Sequence, residues 1–403
     1  MSEEPATSAG DVPTRTIAIL GLGAFVSAAN LRVCDPLLPQ IAAELSVTIG
    51  MAAAAVTAFA VSYGLCQIVV GPLGDGRGKL AMIVLGCLWA GAATLLCAVM
   101  PSLGHLVVLR FLAGAGGAAI IPLAIAWLGD VVPYERRQPT LARFASGQIL
   151  GVVCGQAAGG LIGEIIGWRG TFVAIGVVHI LVGVLLALQM RRLKIAAAPG
   201  ARANWRQAAA QTSQMLGQRW VRVVLIATLL EGLTLFGPFA YVGAELHLRF
   251  GIGTGLAGAM LAAFGAGALS YSLAAPALVA RIGKPGLATG GSVMIAIGYA
   301  VLAVTPWLWA APFAIACIGL GLYMFHNTLQ TEATQLAPDA RGLSISLFAF
   351  VLFTSQSLGV ALAAPVVDRW GAAPVFVVAA LAMPLTAVWF RRQLVRRLAS
   401  GAG

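Results

Sequence analysis

Twelve long apolar stretches follow one another along this chain, near residues 15–38, 47–70, 80–103, 105–128, 141–163, 170–190, 222–244, 253–279, 285–305, 307–330, 342–366 and 374–390. About 20 apolar residues in a helix cross the roughly 30 Å hydrocarbon core of a bilayer. Backbone inside lipid must satisfy its own hydrogen bonds, so only helices or closed barrels can span it. Barrel strands would alternate over about ten residues, whereas these runs are continuous and about twice as long. The expected fold class is therefore an all-α membrane protein with 12 transmembrane helices. Composition agrees: the chain is 60% hydrophobic and 10% charged, against about 25% charged in a soluble domain. Disorder is excluded by the same hydrophobicity.

The net charge of +11 is a topology signal. With both termini placed inside, twenty Lys and Arg residues fall on the inner side, leaving only Arg32, Arg110, Arg169, Arg249 and Arg369 on the outer side or within spans. Basic loops stay cytoplasmic, so the chain is expected to sit in the cell inner (plasma) membrane with N and C termini cytoplasmic, and a nucleic-acid role is set aside. Residues 1–14 form a polar cytoplasmic tail without the cationic region of a cleavable signal peptide, and 391–403 a basic cytoplasmic tail. The 191–221 linker carries basic residues and no acid, either as an amphipathic segment on the anionic leaflet or as a solvated connector. The six cysteines lie in apolar stretches without metal-ligand spacing and read as small hydrophobes. No cofactor is expected.

An offset of 205 residues pairs Gly50 with Gly255, Phe59 with Phe264, Gly78-Lys79 with Gly283-Lys284, Gly114 with Gly319, Gly116 with Gly321, Pro133 with Pro338 and Arg136 with Arg341. A one-residue slip then pairs Gly167 with Gly371 and Phe172 with Phe376. Such a repeat predicts two pseudo-symmetric six-helix bundles, 15–190 and 222–390, with a substrate cavity at their interface. Rocking of one bundle against the other makes a transporter the leading hypothesis.

Between spans two and three stands GPLGDGRGK, from Gly71 through Asp75, Arg77 and Gly78 to Lys79. A Gly/Pro turn carrying one carboxylate and two cations can form a breakable charge contact to a neighbouring helix end, as a gating loop needs. This segment resembles the loop motif of the major facilitator superfamily (MFS) through Gly71, Leu73, Asp75, Gly78 and Lys79, with Gly76 where a cation usually stands. Its second copy, Arg281 to Lys284, lacks the acid. LRFLAGAGGAA of span four is similar to another family segment through Arg110, Gly114, Gly116, Gly117 and Ala118. GVVCGQAAGG, Gly151 to Gly160, resembles the pattern of the family's proton-coupled exporters, with Gln156 in place of proline; close helix packing is by itself a sufficient reason for these glycines. The resemblance covers essentially the whole chain and implies the MFS fold and a drug/metabolite:proton antiporter-like branch.

Ionisable residues inside a bilayer are functional candidates by default. In span one, Asn30, Arg32 and Asp35 share its outer half, with Arg32 and Asp35 one turn apart. Span four brings Arg110 to similar depth, so an Asp35–Arg110 contact is expected, either as a proton-coupled switch or as a permanent structural pair. Arg110 alone also fits an arginine snorkelling to headgroups. Glu231, near the middle of span seven, suits a proton carrier because protonation removes its charge; packing by hydrogen bonds is the other reading. Tyr63, Gln67, Gln148, Gln156, His326 and Asn327 are candidates for cavity lining, each equally a source of interhelical hydrogen bonds. His179 reads as lipid-facing or packed.

The expected function is proton-coupled efflux of a small drug-like molecule or metabolite by a monomer that meets only its substrate, protons and lipid. One alternative is proton-coupled uptake of a small organic anion or other metabolite, the anion held by Arg32 and Arg110 and the proton carried by Glu231. Another, of a different class, is a non-transporting membrane sensor or scaffold. An enzyme is not expected, since no nucleophile-base pair or metal cluster is found.

Overall fold

A computed structural model describes residues 14–192, 205–337 and 341–399 of the chain. These residues form helices and connecting turns with no strand among them. Among the described residues, ten stretches are long and apolar enough to cross a membrane. Two of them are double: Arg136–Arg192 breaks at Gly167 (φ 77°) and Thr254–Val304 at Gly283 (φ 59°). Counting both sides of each break gives the twelve crossings that the apolar runs predict. Glycine adopts positive φ without the steric cost other residues meet. Both members of two repeat pairs use that freedom, Gly78 (φ 88°) with Gly283, and Gly167 with Gly371 (φ 77°).

Several boundaries move. Gly71 to Arg77 do not form a turn; they complete the helix Ala54–Arg77, and the chain reverses at Gly78 alone. Span one reaches Glu44 because it is interrupted instead of ended. Pro36 and Pro39 cannot donate to the carbonyls four residues earlier, and the chain answers with the 3-10 turn Asp35–Leu37 before the helix resumes at Leu38. In span seven the helix Arg219–Glu231 passes into a π segment, Gly232–Phe236, just ahead of Pro238. Tyr299 donates its hydroxyl to the Leu235 carbonyl inside that segment. A proline and an inserted hydrogen-bond partner are the usual causes of such a distortion. Part of the 191–221 linker is helical, over Trp205–Gly217, while 193–204 lies outside the described residues. The last helix, Ala373–Ala399, continues well beyond residue 390.

Small residues set how closely the spans pack. A Cβ on Gly155 would lie 2.6 Å from Ala29 Cα, and one on Gly159 would lie 3.0 Å from Val33 Cγ2, so the glycines of span five face span one. Gly114 backs onto the Phe59 carbonyl and its repeat partner Gly319 onto the Phe264 carbonyl, the same contact made twice at matched positions. Without a hydrophobic force between helices in lipid, such close approach is the main source of association.

We call the end remote from residues 14 and 399 the outer end, in keeping with the charge distribution. Polar contacts between the first six spans and the last six gather there and toward the middle. Gln40 of span one donates to Thr254 of span eight at 3.0 Å, and Arg32 to Gln356 of span eleven at 3.4 Å. At the inner end, two ion pairs among the described residues each lie within one set of spans. Lys79 meets Asp130 at 2.6 Å, and Lys284 meets Glu332 at 2.7 Å. Hydrogen bonds thus join the two sets at the outer end.

Candidate functional site

Buried polar groups in the middle of the molecule fall into three clusters. In the first, Arg110 is fully buried among the first six spans. It donates to the Asn30 side chain at 2.6 Å and to the Asn30 carbonyl at 2.9 Å, with a longer bond to the Ala55 carbonyl at 3.4 Å. The rings of Phe59 and Phe172 flank its guanidinium, 4.3 and 5.6 Å from their centroids. Asn30 in turn donates to Thr94 of span three at 2.8 Å. A buried cation is tolerable only when its donors are this fully engaged. The expected Asp35–Arg110 contact is therefore corrected: Asn30, a full turn before Asp35 in sequence, holds the arginine.

The second cluster belongs to Asp35, which lies on the 3-10 turn. Its Oδ2 stands 3.6 Å from Arg32 and accepts from Gln156 of span five at 3.3 Å. Arg32 also reaches Gln356 across the interface and lies 4.8 Å from the centroid of Phe236, in the π segment of span seven. The four polar side chains are almost wholly buried; Asp35 Oδ1, Gln156 Oε1 and Gln356 Nε2 have no hydrogen-bond partner among the described residues, and Arg32 Nη1 has only its 3.6 Å ion-pair contact with Asp35. Buried polar atoms are nearly always paired, so a cluster with spare donors and acceptors suggests a binding function.

The third cluster joins two residues that the sequence treats separately. Glu231 Oε2 lies 3.1 Å from His326 Nδ1, between spans seven and ten, with Glu231 Oε1 buried and unpartnered. Glu231 is fully buried, and the His326 ring rests 5.4 Å from that of Phe348.

Other candidates are more dispersed. Tyr63 packs between Phe59 and Phe353, with Ser27 and Gln67 beside its hydroxyl, and so ties span two to span eleven. Gln148 and Asn327 are half-buried. His179 is packed, with Nδ1 3.3 Å from the Ile175 carbonyl. In the gating segment, Lys79 makes the contact to a neighbouring helix end through Asp130, while Arg77 is exposed and the Asp75 side chain lies outside the described residues. The second copy takes its acid from span ten, where Glu332 meets Lys284. Sequence reasoning missed Gln356 and Phe236. Gln356 carried a usable signal as an amide in mid-span; Phe236 gave none, since its position depends on the π distortion.

Twelve crossings with ionisable and amide side chains buried at the interface of two six-span sets define a multi-pass membrane transporter. A model of the Major Facilitator Superfamily matches residues 20–360, and the chain belongs to this superfamily. The MFS-type transporter YwfA of Bacillus subtilis is 26% identical over 90% of this chain and 87% of its own length. A chloramphenicol resistance protein of Streptomyces lividans is 28% identical over 66% of this chain and 67% of its own. Among solved structures, a bacterial homolog of the human lysosomal transporter Spinster, inward-facing and occupied, superposes with a TM-score of 0.76 at 16% identity, covering 98% of each chain. A mutant of the nucleoside transporter NupG does so with a TM-score of 0.75 at 12% identity, covering 93% of this chain and 98% of its own. At these identities the structures speak for the fold alone.

Proposed function

We propose that this protein is a proton-coupled exporter of a small drug-like molecule or metabolite, working as a monomer in the inner membrane with both termini cytoplasmic. The observation that carries the coupling is the Glu231–His326 pair. A carboxylate with one free oxygen, buried at mid-bilayer beside an imidazole, gains or loses a proton at large consequence for local charge. Protonation of Glu231 removes its charge and weakens its hold on His326, and the π segment that follows gives span seven a place to bend.

Substrate recognition falls to the Arg32–Asp35–Gln156–Gln356 cluster, whose spare donors and acceptors suit a neutral or zwitterionic polar group held against Phe236. Export is favoured by the chloramphenicol resistance relative. The uptake alternative loses support, because Arg110 has its donors engaged by Asn30 and is not free for a substrate carboxylate.

Reconstitution in vesicles containing a pH-sensitive dye tests the proposal, with pools of amphipathic compounds as substrates. Substrate-induced proton flux that Glu231→Gln abolishes, with substrate counterflow preserved, is the expected result. Substrate movement without protons in the parent protein would replace antiport by facilitated diffusion.

A further inference from the structure

At the outer end, two carboxylates cross the interface in opposite directions. Glu164, at the end of span five, accepts from the Gly255 backbone N–H at the start of span eight at 2.6 Å. Asp368, at the end of span eleven, accepts from the Gly50 backbone N–H at the start of span two at 2.7 Å, and its other oxygen accepts from Thr48 at 2.6 Å. The repeat relates these contacts to one another. Gly50 and Gly255 are partners at the offset of 205, and Glu164 and Asp368 are partners at the slipped offset of 204 that also pairs Gly167 with Gly371.

Each set of six spans thus offers a carboxylate to the first turn of a helix in the other set. The first turn of a helix has backbone N–H groups without intrahelical partners and carries a partial positive charge, so a carboxylate there forms charge-assisted bonds. Close approach is built into the same positions. A Cβ on Gly50 would lie 2.5 Å from Asp368 Oδ2, and one on Gly255 would lie 2.6 Å from Glu164 Oε2. The paired glycines are what allow the carboxylates to reach the backbone. No ligand is implied, since the two carboxylates already occupy the helix ends.

We propose that Glu164 and Asp368 are a reciprocal pair of positioning residues that hold the outer end of the transporter shut, and that both bonds must break for the cavity to open outward. The two helix-end contacts are related by the repeat, with Asp368 holding a second bond from Thr48: the two sets separate only when both helix ends lose their carboxylates. The proposal needs alternating access but neither protons nor an identified substrate, so it stands or falls apart from the coupling role of Glu231.

Single-molecule energy transfer between dyes on unnatural amino acids at positions 102 and 307, in the outer loops of the two sets, reads the closure directly. Parent protein in detergent should show one high-transfer population. Glu164→Ala and Asp368→Ala should each raise the low-transfer, outward-open population about tenfold relative to the closed one, and the double variant should raise it further. Gly255→Ala keeps both carboxylates but places a methyl group where Glu164 sits, and should open the same end; Gly104→Ala, with open space around it, should not. A monodisperse double variant that stays closed overturns the proposal. If that variant does not fold, a closed Gly255→Ala, or equal opening by Gly104→Ala, overturns it instead.

Discussion

His326 Nδ1 lies 3.1 Å from Glu231 Oε2, joining spans ten and seven through the one carboxylate that sits fully buried on span seven. The contact lies beside the π segment Gly232–Phe236, whose last residue stacks toward Arg32 of span one. A change of charge at Glu231 therefore has a short structural route to the polar cluster at the interface.

Infrared difference spectroscopy on the purified protein reads that change. The protonated-carboxyl carbonyl band should lose one component in Glu231→Gln. His326→Gln should keep that component at a shifted frequency, because the hydrogen-bond partner of the carboxyl has changed. A band untouched by Glu231→Gln would assign the titrating carboxyl elsewhere.

Arg110 is held by Asn30, and removing the holder leaves a buried charge without its partners. Asn30→Ala should destabilise the protein by about 3 kcal/mol, measured as a lowered unfolding transition in detergent. Arg110→Lys should also destabilise it, since an ammonium cannot reproduce the forked contacts to the Asn30 side chain and carbonyl. An unchanged transition for both variants would contradict the assigned role.

Glycines of the first six spans should divide by what a Cβ meets. Gly155→Ala puts a methyl 2.6 Å from Ala29 Cα and should destabilise or misfold the chain, whereas Gly21→Ala meets nothing within 4 Å. The second change should be neutral or stabilising by up to about 1 kcal/mol from helix propensity. Thermal unfolding of the two variants side by side decides the matter.

The two inner-end ion pairs should differ in weight. The Asp130 side chain is 57% exposed in its pair with Lys79, while that of Glu332 is 7% exposed in its pair with Lys284. Asp130→Asn should change stability by less than about 1 kcal/mol, as for exposed pairs generally. Glu332→Gln should cost more, because Glu332 is the better shielded acid. Urea titration of the purified variants would reveal the order.

The sequence by itself determined the twelve crossings, because apolar length answers directly to bilayer thickness. It also showed the internal repeat, and the glycine pairs 78 with 283 and 167 with 371 that the repeat aligns share positive φ in the structure. The polar residues of the core were visible as well, standing out against an apolar background. Their partners were decided only by tertiary structure. Arg110 meets Asn30 and not Asp35, since Pro36 and Pro39 turn the chain at Asp35 and carry that carboxylate toward Gln156. Glu231 meets His326 from a helix 95 residues away, and Gln356 meets Arg32 from 324 residues away. Which side chains meet depends on helix rotation, breaks and packing distance together, and a small change in any of these moves a polar group from one neighbour to another.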